Sequence, residues 1–348
     1  MREFLTSEEG IEVTNNVSTV LDWEIALLVA LFKAALVIIL RAVFLIDEDQ
    51  AVTKDDYASI DIIKEALEFA KKSLLVNAQN IDTYLLVSEA YLKMGYETEC
   101  LNYFEDARKN GLNSVKLTLA NAVSLKHFSH FEKAKEKFLE VMLIEPNNLI
   151  AMYNLAQCEL YMQNEDQGKN LLLHVIELNP KHTEALYNLG IYEFKHSNYD
   201  EAINYFQKVL SISLKAIDNI YFDLGNCYAA KKDFGEAIKY YNKNIEYYPD
   251  SVQAYINLST IYLEQDNFTD AQRKIRAAYK LAPEDVLVNF TYGIIYFESK
   301  LYKDAKEKFE YVITKEPSEK GALLALLDCY INMNEPQKAL DKLDKLQD

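Results

Sequence analysis

A unit of about 34 residues returns eight times between Ile81 and Asp348. Pro146 and Pro180 are separated by about one such period, and so are the successive members of the group Pro249, Pro283 and Pro317. A period of this length indicates a solenoid built from two-helix units. One helical hairpin cannot bury its own apolar face, so the units must stack on one another to form a continuous core.

Two columns of side chains appear when the units are aligned, and we number the units repeats 1 to 8. They begin at Ile81, Val115, Leu149, Thr183, Asp218, Val252, Val286 and Lys320. Position 20 is small in every repeat: Cys100, Ala134, Gly168, Ala202, Ala237, Ala271, Ala305 and Ala339. Position 24 is bulky in every repeat: Phe104, Phe138, Leu172, Phe206, Tyr241, Ile275, Phe309 and Leu343. The small column predicts helices that approach so closely that a larger side chain would overpack the contact.

These columns resemble the tetratricopeptide repeat family, whose unit carries Leu-Gly at positions 7 and 8, Tyr at 11, Ala at 20, Phe at 24 and Pro at 32. Repeats 4 and 5 fit this pattern best, with Leu189-Gly190 and Ala202 in one and Leu224-Gly225 and Tyr228 in the other. The resemblance covers residues 81–348. Local departures are Glu159 and Glu193 at position 11, and Leu112 and Leu214 at position 32.

The resemblance implies an all-α fold, a right-handed superhelix of tandem two-helix units. The first helix of each unit would line a concave groove that binds protein or peptide segments. It implies a scaffold rather than an enzyme, and no cofactor. Outside the repeats, the sequence offers no glycine-rich phosphate loop and no paired-carboxylate pocket.

The charge balance bears on the class of partner. The chain has 54 acidic and 37 basic residues, a formal net charge of -17. This charge repels phosphate backbones and argues against nucleic acid as a partner. His127 and His130 lie close together in sequence, but no third ligand with suitable spacing follows, so no metal site is predicted.

The four cysteines fall on helix faces rather than in a disulfide framework. Cys158, Cys227 and Cys329 occupy position 10 of their repeats, and Cys100 occupies position 20. Repeats this far apart cannot bring the thiols into bonding range, and no pair has the spacing of a zinc or redox motif. Free thiols fit a reducing compartment, so the repeats are expected to face the cytosol.

Ile25 to Ile46 is apolar except for Lys33 and Arg41. A helix of this length spans about 33 Å, enough to cross a bilayer core. Strongly apolar residues at roughly -0.3 to -0.6 kcal/mol each outweigh a central lysine that costs about 3 kcal/mol, and Arg41 can snorkel toward an interface. The segment is therefore predicted to be a transmembrane helix. The alternative is a helix that packs on the solenoid or on a second copy of itself.

The rest of the N-terminal part divides into three segments. Residues 1–24 are acidic and unlike the basic start of a signal peptide, and residues 47–56 form a polar linker. Residues 57–80 carry apolar side chains at helical spacing and are predicted to cap the first repeat. Basic residues favour a single-pass orientation with the C-terminal part in the cytoplasm.

The candidate binding residues lie at positions 5 and 6 of the first helix in each repeat, which the family resemblance places on the groove. Position 6 forms a polar ladder of Asn154, Asn188, Asp223 and Asn257. Asparagine both donates and accepts hydrogen bonds, so the ladder suits the backbone of an extended peptide. Position 5 holds Tyr153, Tyr187 and Phe222, which would serve either as apolar anchors or as packing residues between helices.

The expected partner is a protein or peptide segment of basic or neutral charge. Chaperone-binding members of the family grip a carboxylate with Lys and Arg at positions 2 and 6. Here only Lys116 stands at position 2, while Glu184, Asn219 and Gln253 replace the other basic residues. The sequence thus predicts a membrane-anchored adaptor. Two alternatives stay open: a soluble scaffold that forms homo-oligomers through its apolar N-terminal helix, and a regulatory subunit of an enzyme carried by another chain.

Overall fold

The computed structural model describes residues 67–68, 70–72, 74, 78–213 and 219–339, and the regular elements within these ranges are all helices. They are α1 (Ile81–Lys93), α2 (Glu97–Lys109), α3 (Val115–His127), α4 (Phe131–Ile144), α5 (Leu149–Tyr161), α6 (Glu165–Leu178), α7 (Thr183–Lys195), α8 (Tyr199–Ile212), α9 (Ile220–Ala230), α10 (Phe234–Tyr247), α11 (Val252–Glu264), α12 (Phe268–Leu281), α13 (Val286–Glu298), α14 (Tyr302–Lys315) and α15 (Lys320–Asn332). Short helical stretches also occur within residues 67–74 and 336–339.

The described helices form tandem hairpins in two compact units, one that ends at Pro180 and one that begins at Lys181. Within each unit, successive helices pack against one another, and each odd-numbered helix also packs on the hairpin before it. Helices α1, α3, α5, α7, α11, α13 and α15 begin at the first residue of a 34-residue repeat. The all-helical solenoid of two-helix repeats predicted from the sequence is confirmed.

Seven of the eight first helices described have a polar N-cap residue immediately before the repeat, whereas α9 follows Asn219, the second residue of repeat 5. Asn148 Oδ1 accepts a 2.9 Å hydrogen bond from the backbone N–H of Ala151, and Asp285 Oδ1 accepts a 2.8 Å bond from that of Val288. Such caps satisfy amide groups that have no partner inside the helix. The prolines two positions earlier end the second helix, because proline has no N–H to donate.

The turn inside each hairpin depends on one residue in the left-handed backbone region. Position 15 has a positive φ in every repeat: 71° at Gly95, and 56° to 64° at Ser129, Gln163, Ser197, Lys232, Asp266, Lys300 and Asn334. In repeat 5, the N–H of Lys232 donates to the carbonyl of Ala229, and that of Asp233 donates to the carbonyl of Tyr228. These bonds close the first helix and turn the chain into the second.

The core of each hairpin follows the two sequence columns. Ala202, Ala237 and Ala305 are fully buried at position 20, and the rings at position 24 are buried with them. The rings also press on position 8, because a Cβ built on Gly190 would lie 2.5 Å from the ring of Phe206. Equivalent approaches join Gly225 to Tyr241 and Gly293 to Phe309, each at 2.6 Å. A larger residue at any of these three positions would require the ring to shift.

The glutamates that replace tyrosine at position 11 have a structural role. Glu159 is only 3% exposed. Its carboxylate accepts a 2.8 Å hydrogen bond from Asn164 in the turn of the same hairpin and pairs at 2.8 Å with Lys135 of repeat 2. Glu193 is also buried and accepts a 2.7 Å hydrogen bond from Asn198. The departure from the family pattern therefore exchanges a ring for a hydrogen-bonded carboxylate at the turn.

The four cysteines are fully buried free thiols, as their positions in the repeats predicted. Burial raises the pKa of Cys158 and Cys329 to about 11 and that of Cys227 to about 12. Cys100 donates a hydrogen bond to the carbonyl of Ser88, 3.2 Å away. The thiols are thus small core side chains.

Leu67 and Ala70 are buried in the core of repeat 1, and Leu74 packs against it. At the other end, Ala339 is buried in the core that repeats 7 and 8 form together. Residues 1–66 and 340–348, including the acidic segment, the apolar segment and the linker, lie outside the described residues.

Candidate binding surface on the first helices of the repeats

The first helices of repeats 4 to 6 bring polar and aromatic side chains together, and we call this group the Asp223 cluster. Its members are Tyr187, Phe222, Asp223, Asn226, Tyr241 and Asn257. All of them lie within residues 181–348, on helices α7, α9, α10 and α11. Four of the seven candidate groove residues identified in the sequence are therefore brought together here.

Asp223 carries the charge of this cluster. Its carboxylate Oδ2 accepts a 2.6 Å hydrogen bond from the hydroxyl of Tyr187 on the preceding repeat. No Lys, Arg or His among the described residues forms an ion pair with it. Burial raises the pKa of Asp223, and the Tyr187 hydrogen bond offsets part of this effect. A half-buried carboxylate without a cationic partner is a group that a bound cation would stabilise.

A hydrogen-bond network beside Asp223 fixes Asn257. Its amide nitrogen donates to Asn226 Oδ1 and to the Tyr241 hydroxyl, both at 3.1 Å, and its oxygen accepts from Gln253 at 3.0 Å. The Tyr241 hydroxyl in turn donates a 2.7 Å bond to Asn226 Oδ1. Burial raises the pKa of Tyr241 to about 12, so this hydroxyl keeps its proton at neutral pH. The network links helices of repeats 5 and 6.

The aromatic residues at position 5 pack inside their own hairpins. The ring of Tyr187 lies 5.5 Å from that of Phe206, and the ring of Phe222 lies 5.7 Å from that of Tyr241. Both rings remain half-buried. They therefore have a packing role, and their contact with a ligand stays a prediction.

A second group, the Lys126 cluster, lies within residues 1–180 and consists of Lys126, Tyr153, Asn154 and Gln157. The Lys126 ammonium donates a 2.6 Å hydrogen bond to Asn154 Oδ1 and another to Gln157 Oε1. Gln157 donates a 3.0 Å bond to the Tyr153 hydroxyl, and Asn154 donates a 2.8 Å bond to the Ile150 carbonyl. Burial lowers the pKa of Lys126, which has no carboxylate partner in the described part of the chain.

The predicted polar ladder is thus already engaged in hydrogen bonds within the protein. Asn154, Asp223 and Asn257 each have partners, and Asn188 lies half-buried at the equivalent place on α7. Asn154 donates one hydrogen bond and keeps a second N–H for a ligand, whereas the amide nitrogen of Asn257 already donates to two acceptors within the protein. Contact between the ladder and a peptide backbone therefore stays a prediction.

Sequence reasoning missed Lys126, Gln157 and Asn226. They occupy positions 12, 9 and 9 of their repeats, which the family resemblance also assigns to the groove. A comparison of every groove position in neighbouring repeats, rather than positions 5 and 6 alone, would have found them.

The two histidines singled out in the sequence do not converge on one point. His130 Nε2 lies 2.6 Å from Glu97 Oε1, so it joins the turns of repeats 1 and 2. The ring of His127 packs edge-on against Phe128, with 5.2 Å between ring centroids.

Ile25, Lys33, Arg41 and Ile46 of the predicted transmembrane segment lie outside the described residues. Across the ranges that the structure does describe, no helix has the length and apolar character needed to span a membrane.

Sequence profiles of the tetratricopeptide repeat match residues 150–182, 183–215, 219–251 and 256–310. No match was found among curated proteins. Matching stretches therefore cover the central repeats, including every residue of the Asp223 cluster.

Solved structures of repeat proteins share the fold. The C-terminal part of a repeat-containing protein from Cytophaga hutchinsonii is 15% identical and matches with a TM-score of 0.57, over 70% of this chain and 99% of that one. The Cut9–Hcn1 hetero-tetramer of the APC/C matches with a TM-score of 0.54 at 16% identity, over 77% of this chain and 52% of that one. This chain therefore spans about half the length of the matched APC/C chain. PilW, a type IV pilus biogenesis factor, matches with a TM-score of 0.54 at 16% identity, over 62% and 100%.

Proposed function

Because the chain is a tetratricopeptide-repeat protein, we propose that it is a non-catalytic scaffold that binds extended peptide segments of partner proteins on the first helices of its repeats. Repeats of this kind present long surfaces built from many similar units, which suits extended ligands. Two of the structurally similar proteins are named for assemblies, an APC/C hetero-tetramer and a pilus biogenesis factor. These names agree with a scaffold role.

The observation that carries this proposal is the unpaired carboxylate of Asp223. Ordinarily a half-buried charge in a protein is paired, since desolvation without a partner is costly. Here the only hydrogen bond among the described residues comes from the neutral hydroxyl of Tyr187. A lysine or arginine of a bound peptide would supply the missing cation. The Asp223 cluster is therefore the proposed site for a segment with one basic residue, in line with the net charge of -17.

Selection of random heptapeptides on phage, with the full chain in a non-ionic detergent as bait, tests this proposal. Wild-type protein should enrich peptides with Lys or Arg at one fixed position. Asp223→Asn should abolish that preference, because the amide keeps the size of the side chain and removes its charge. Asp250→Asn is the matched control, since Asp250 is exposed and its side chain forms no hydrogen bond or ion pair within the described residues. An unchanged basic preference in the Asp223 variant would refute the proposed site.

We further propose that residues 25–46 anchor the scaffold in a membrane, with the repeats in the cytoplasm. The support is the sequence of the segment, which has only Lys33 and Arg41 as charged residues. Carbonate extraction of membranes from cells that express the full chain or a version lacking residues 1–56 tests the anchor. Retention of the full chain alone is expected. Release of both versions would favour the alternative in which the segment packs on protein, and solution sizing would then test self-association.

A further inference from the structure

A basic pocket lies on the second helix of repeat 6, within residues 181–348. It is an open pocket of about 710 Å³, lined by α12 and by the turn that joins α13 to α14. Its charged lining consists of Arg273, Arg276, Lys280, Lys300 and Glu298. None of these residues belongs to the Asp223 cluster or the Lys126 cluster.

The cations share one face of α12. Arg273, Arg276 and Lys280 are spaced three and four residues apart, which places them on adjacent turns of the same helix face. The chain has only five arginines in 348 residues, and two of them lie here. A protein with a net charge of -17 thus concentrates guanidinium groups in one pocket.

No other repeat has three cations at the equivalent positions 22, 25 and 29. Repeat 4 has Asn204, Gln207 and Ser211; repeat 5 has Lys239, Asn242 and Glu246; and repeat 7 has Glu307, Glu310 and Thr314. These positions are neutral or acidic on balance in the neighbouring repeats, so packing of the fold does not require cations there. The positive charge is specific to repeat 6.

The cations are only partly neutralised by the protein. Arg273 pairs with Asp270 at 2.7 Å on the exposed surface. Arg276 contacts Tyr292 and, more weakly, Tyr296, whose hydroxyls raise the pKa of its guanidinium. The side chains of Lys280 and Lys300 are exposed and have no ion-pair or hydrogen-bond partner among the residues described. With Asp270 and Glu298 counted against the four cations, the pocket keeps a positive balance.

The pocket also offers apolar surface. Phe268 and Ala277 line it half-buried, and Leu301 lines it with 41% of its surface exposed. Gln272 is fixed by a 3.0 Å hydrogen bond to Ser299 Oγ. Carboxylates would meet the guanidinium groups, which bind planar oxygen pairs in a bidentate way, while an apolar side chain would cover the exposed leucine.

We propose that this pocket binds an acidic peptide segment of a partner protein, with at least two carboxylates and a neighbouring apolar residue. Charge complementarity favours a peptide over an anionic membrane surface. The net negative charge of the protein repels an extended anionic surface, whereas one acidic peptide segment can reach the pocket alone. The scaffold then has two surfaces of opposite preference, one for a basic residue at the Asp223 cluster and one for acidic residues on α12. Binding at this pocket does not depend on the function proposed above.

Fluorescence anisotropy tests the proposal with the full chain in a non-ionic detergent and a labelled peptide, Glu-Glu-Leu-Glu-Glu-Phe. A peptide with Gln in place of every Glu is the neutral probe. At low salt, the acidic peptide should bind at least tenfold more tightly than the neutral one, and added salt should weaken it. The triple variant Arg273→Gln, Arg276→Gln, Lys280→Gln should lower the affinity at least tenfold. Its helicity should not change, because these side chains are exposed.

A matched variant on repeat 5 separates the pocket from a general effect of charge. Lys232→Gln, Lys239→Gln, Lys243→Gln removes the same charge from exposed residues outside the pocket, and its affinity should stay within about twofold of wild type. An equal loss in both triple variants would overturn the proposal, since attraction would then be non-specific. Equal binding of the acidic and neutral peptides would overturn it as well.

Discussion

The hydroxyl of Tyr187 donates a 2.6 Å hydrogen bond to Asp223 Oδ2, and this bond joins the first helices of two consecutive repeats. The carboxylate is held in place by a neutral donor while its charge stays unmatched within the described residues. Asp223 therefore contributes to packing between repeats and keeps its charge for a ligand. Two of the predictions below separate these roles.

Stability should depend on pH through Asp223. Its pKa is raised, chiefly by burial, so the folded state binds the proton more tightly than the unfolded chain does. The free energy of unfolding then falls as pH rises from the unfolded pKa through the folded one. At pH 7, Asp223→Asn should resist urea better than wild type, and the difference should shrink as the pH approaches about 4. Asp250→Asn should show no such trend, and a pH-independent gap would contradict the prediction.

Removal of the Tyr187 hydroxyl should destabilise the protein. Tyr187→Phe leaves the half-buried carboxylate of Asp223 without its donor, and hydrogen bonds to charged groups are worth about 1.5–3 kcal/mol. Urea denaturation measures the loss. Tyr161→Phe is the control, because Tyr161 is 67% exposed and its hydroxyl has no recorded partner in the described ranges; a change below about 0.5 kcal/mol is expected there. A similar loss in both variants would mean that the hydrogen bond is not the cause.

Alanine in place of Gly225 should overpack the core of repeat 5. Its Cβ would lie 2.6 Å from the ring of Tyr241, and such overpacking costs about 1–3 kcal/mol. A Cβ on Gly235, in the same repeat, would make only an ordinary van der Waals contact, 3.7 Å from an Asp233 oxygen. Gly235→Ala should therefore stabilise helix α10 by up to about 1 kcal/mol. Thermal melting of both variants tests this prediction. A higher melting temperature for Gly225→Ala than for Gly235→Ala would exclude the close approach of Gly225 to the Tyr241 ring.

Glycine at position 15 should stabilise a hairpin. Lys232 has a φ of 61°, and a left-handed backbone costs a residue with a side chain about 1–2 kcal/mol. Glycine avoids this cost but loses more conformational freedom on folding, so Lys232→Gly should gain about 0.5–1 kcal/mol. Glu307→Gly, on the exposed face of α14, should instead lose about 1 kcal/mol. A lower free energy of unfolding for Lys232→Gly would show that the Lys232 side chain stabilises the protein by more than the backbone strain costs.

The cysteines should resist thiol reagents in the folded protein. With a pKa of about 11, the Cys158 and Cys329 thiols are ionised to roughly one part in a thousand at pH 8, and burial also blocks access. All four thiols should react within the dead time once the protein is unfolded in urea. Rapid labelling of the native protein would instead reveal local opening of the repeats.

The repeat register could be read from the sequence because the small and bulky columns recur at a fixed period and depend only on residue size. The buried cysteines followed from the same register. Glu159 was visible only as a departure, since its role depends on Lys135 in the preceding hairpin and on Asn164 in the turn. The left-handed residue at position 15 was hidden for another reason: glycine marks it only at Gly95.

Candidate site residues were harder to interpret than the fold. Position 6 was found because its residues look alike, but the state of each one depends on neighbours from other repeats. Asn154 meets Lys126, whereas Asn257 meets Asn226 and Tyr241. Residues of the same type at one repeat position therefore have different surroundings. Reading the sequence one position at a time does not reveal these surroundings.

The contact between position 8 and position 24 also bears on how such a chain can evolve. The rings of Phe206, Tyr241 and Phe309 lie opposite a glycine at position 8. The rings of Phe104 and Phe138 lie opposite Ser88 and Ala122, and Leu172 and Ile275 lie opposite Ala156 and Ser259. Both members of each pair belong to the same hairpin. A recombination breakpoint between the two helices would separate a position-24 side chain from the position-8 residue it packs on, whereas a breakpoint between hairpins leaves every pair intact. Whole hairpins are therefore the segments that duplication and exchange can pass on without a loss of packing.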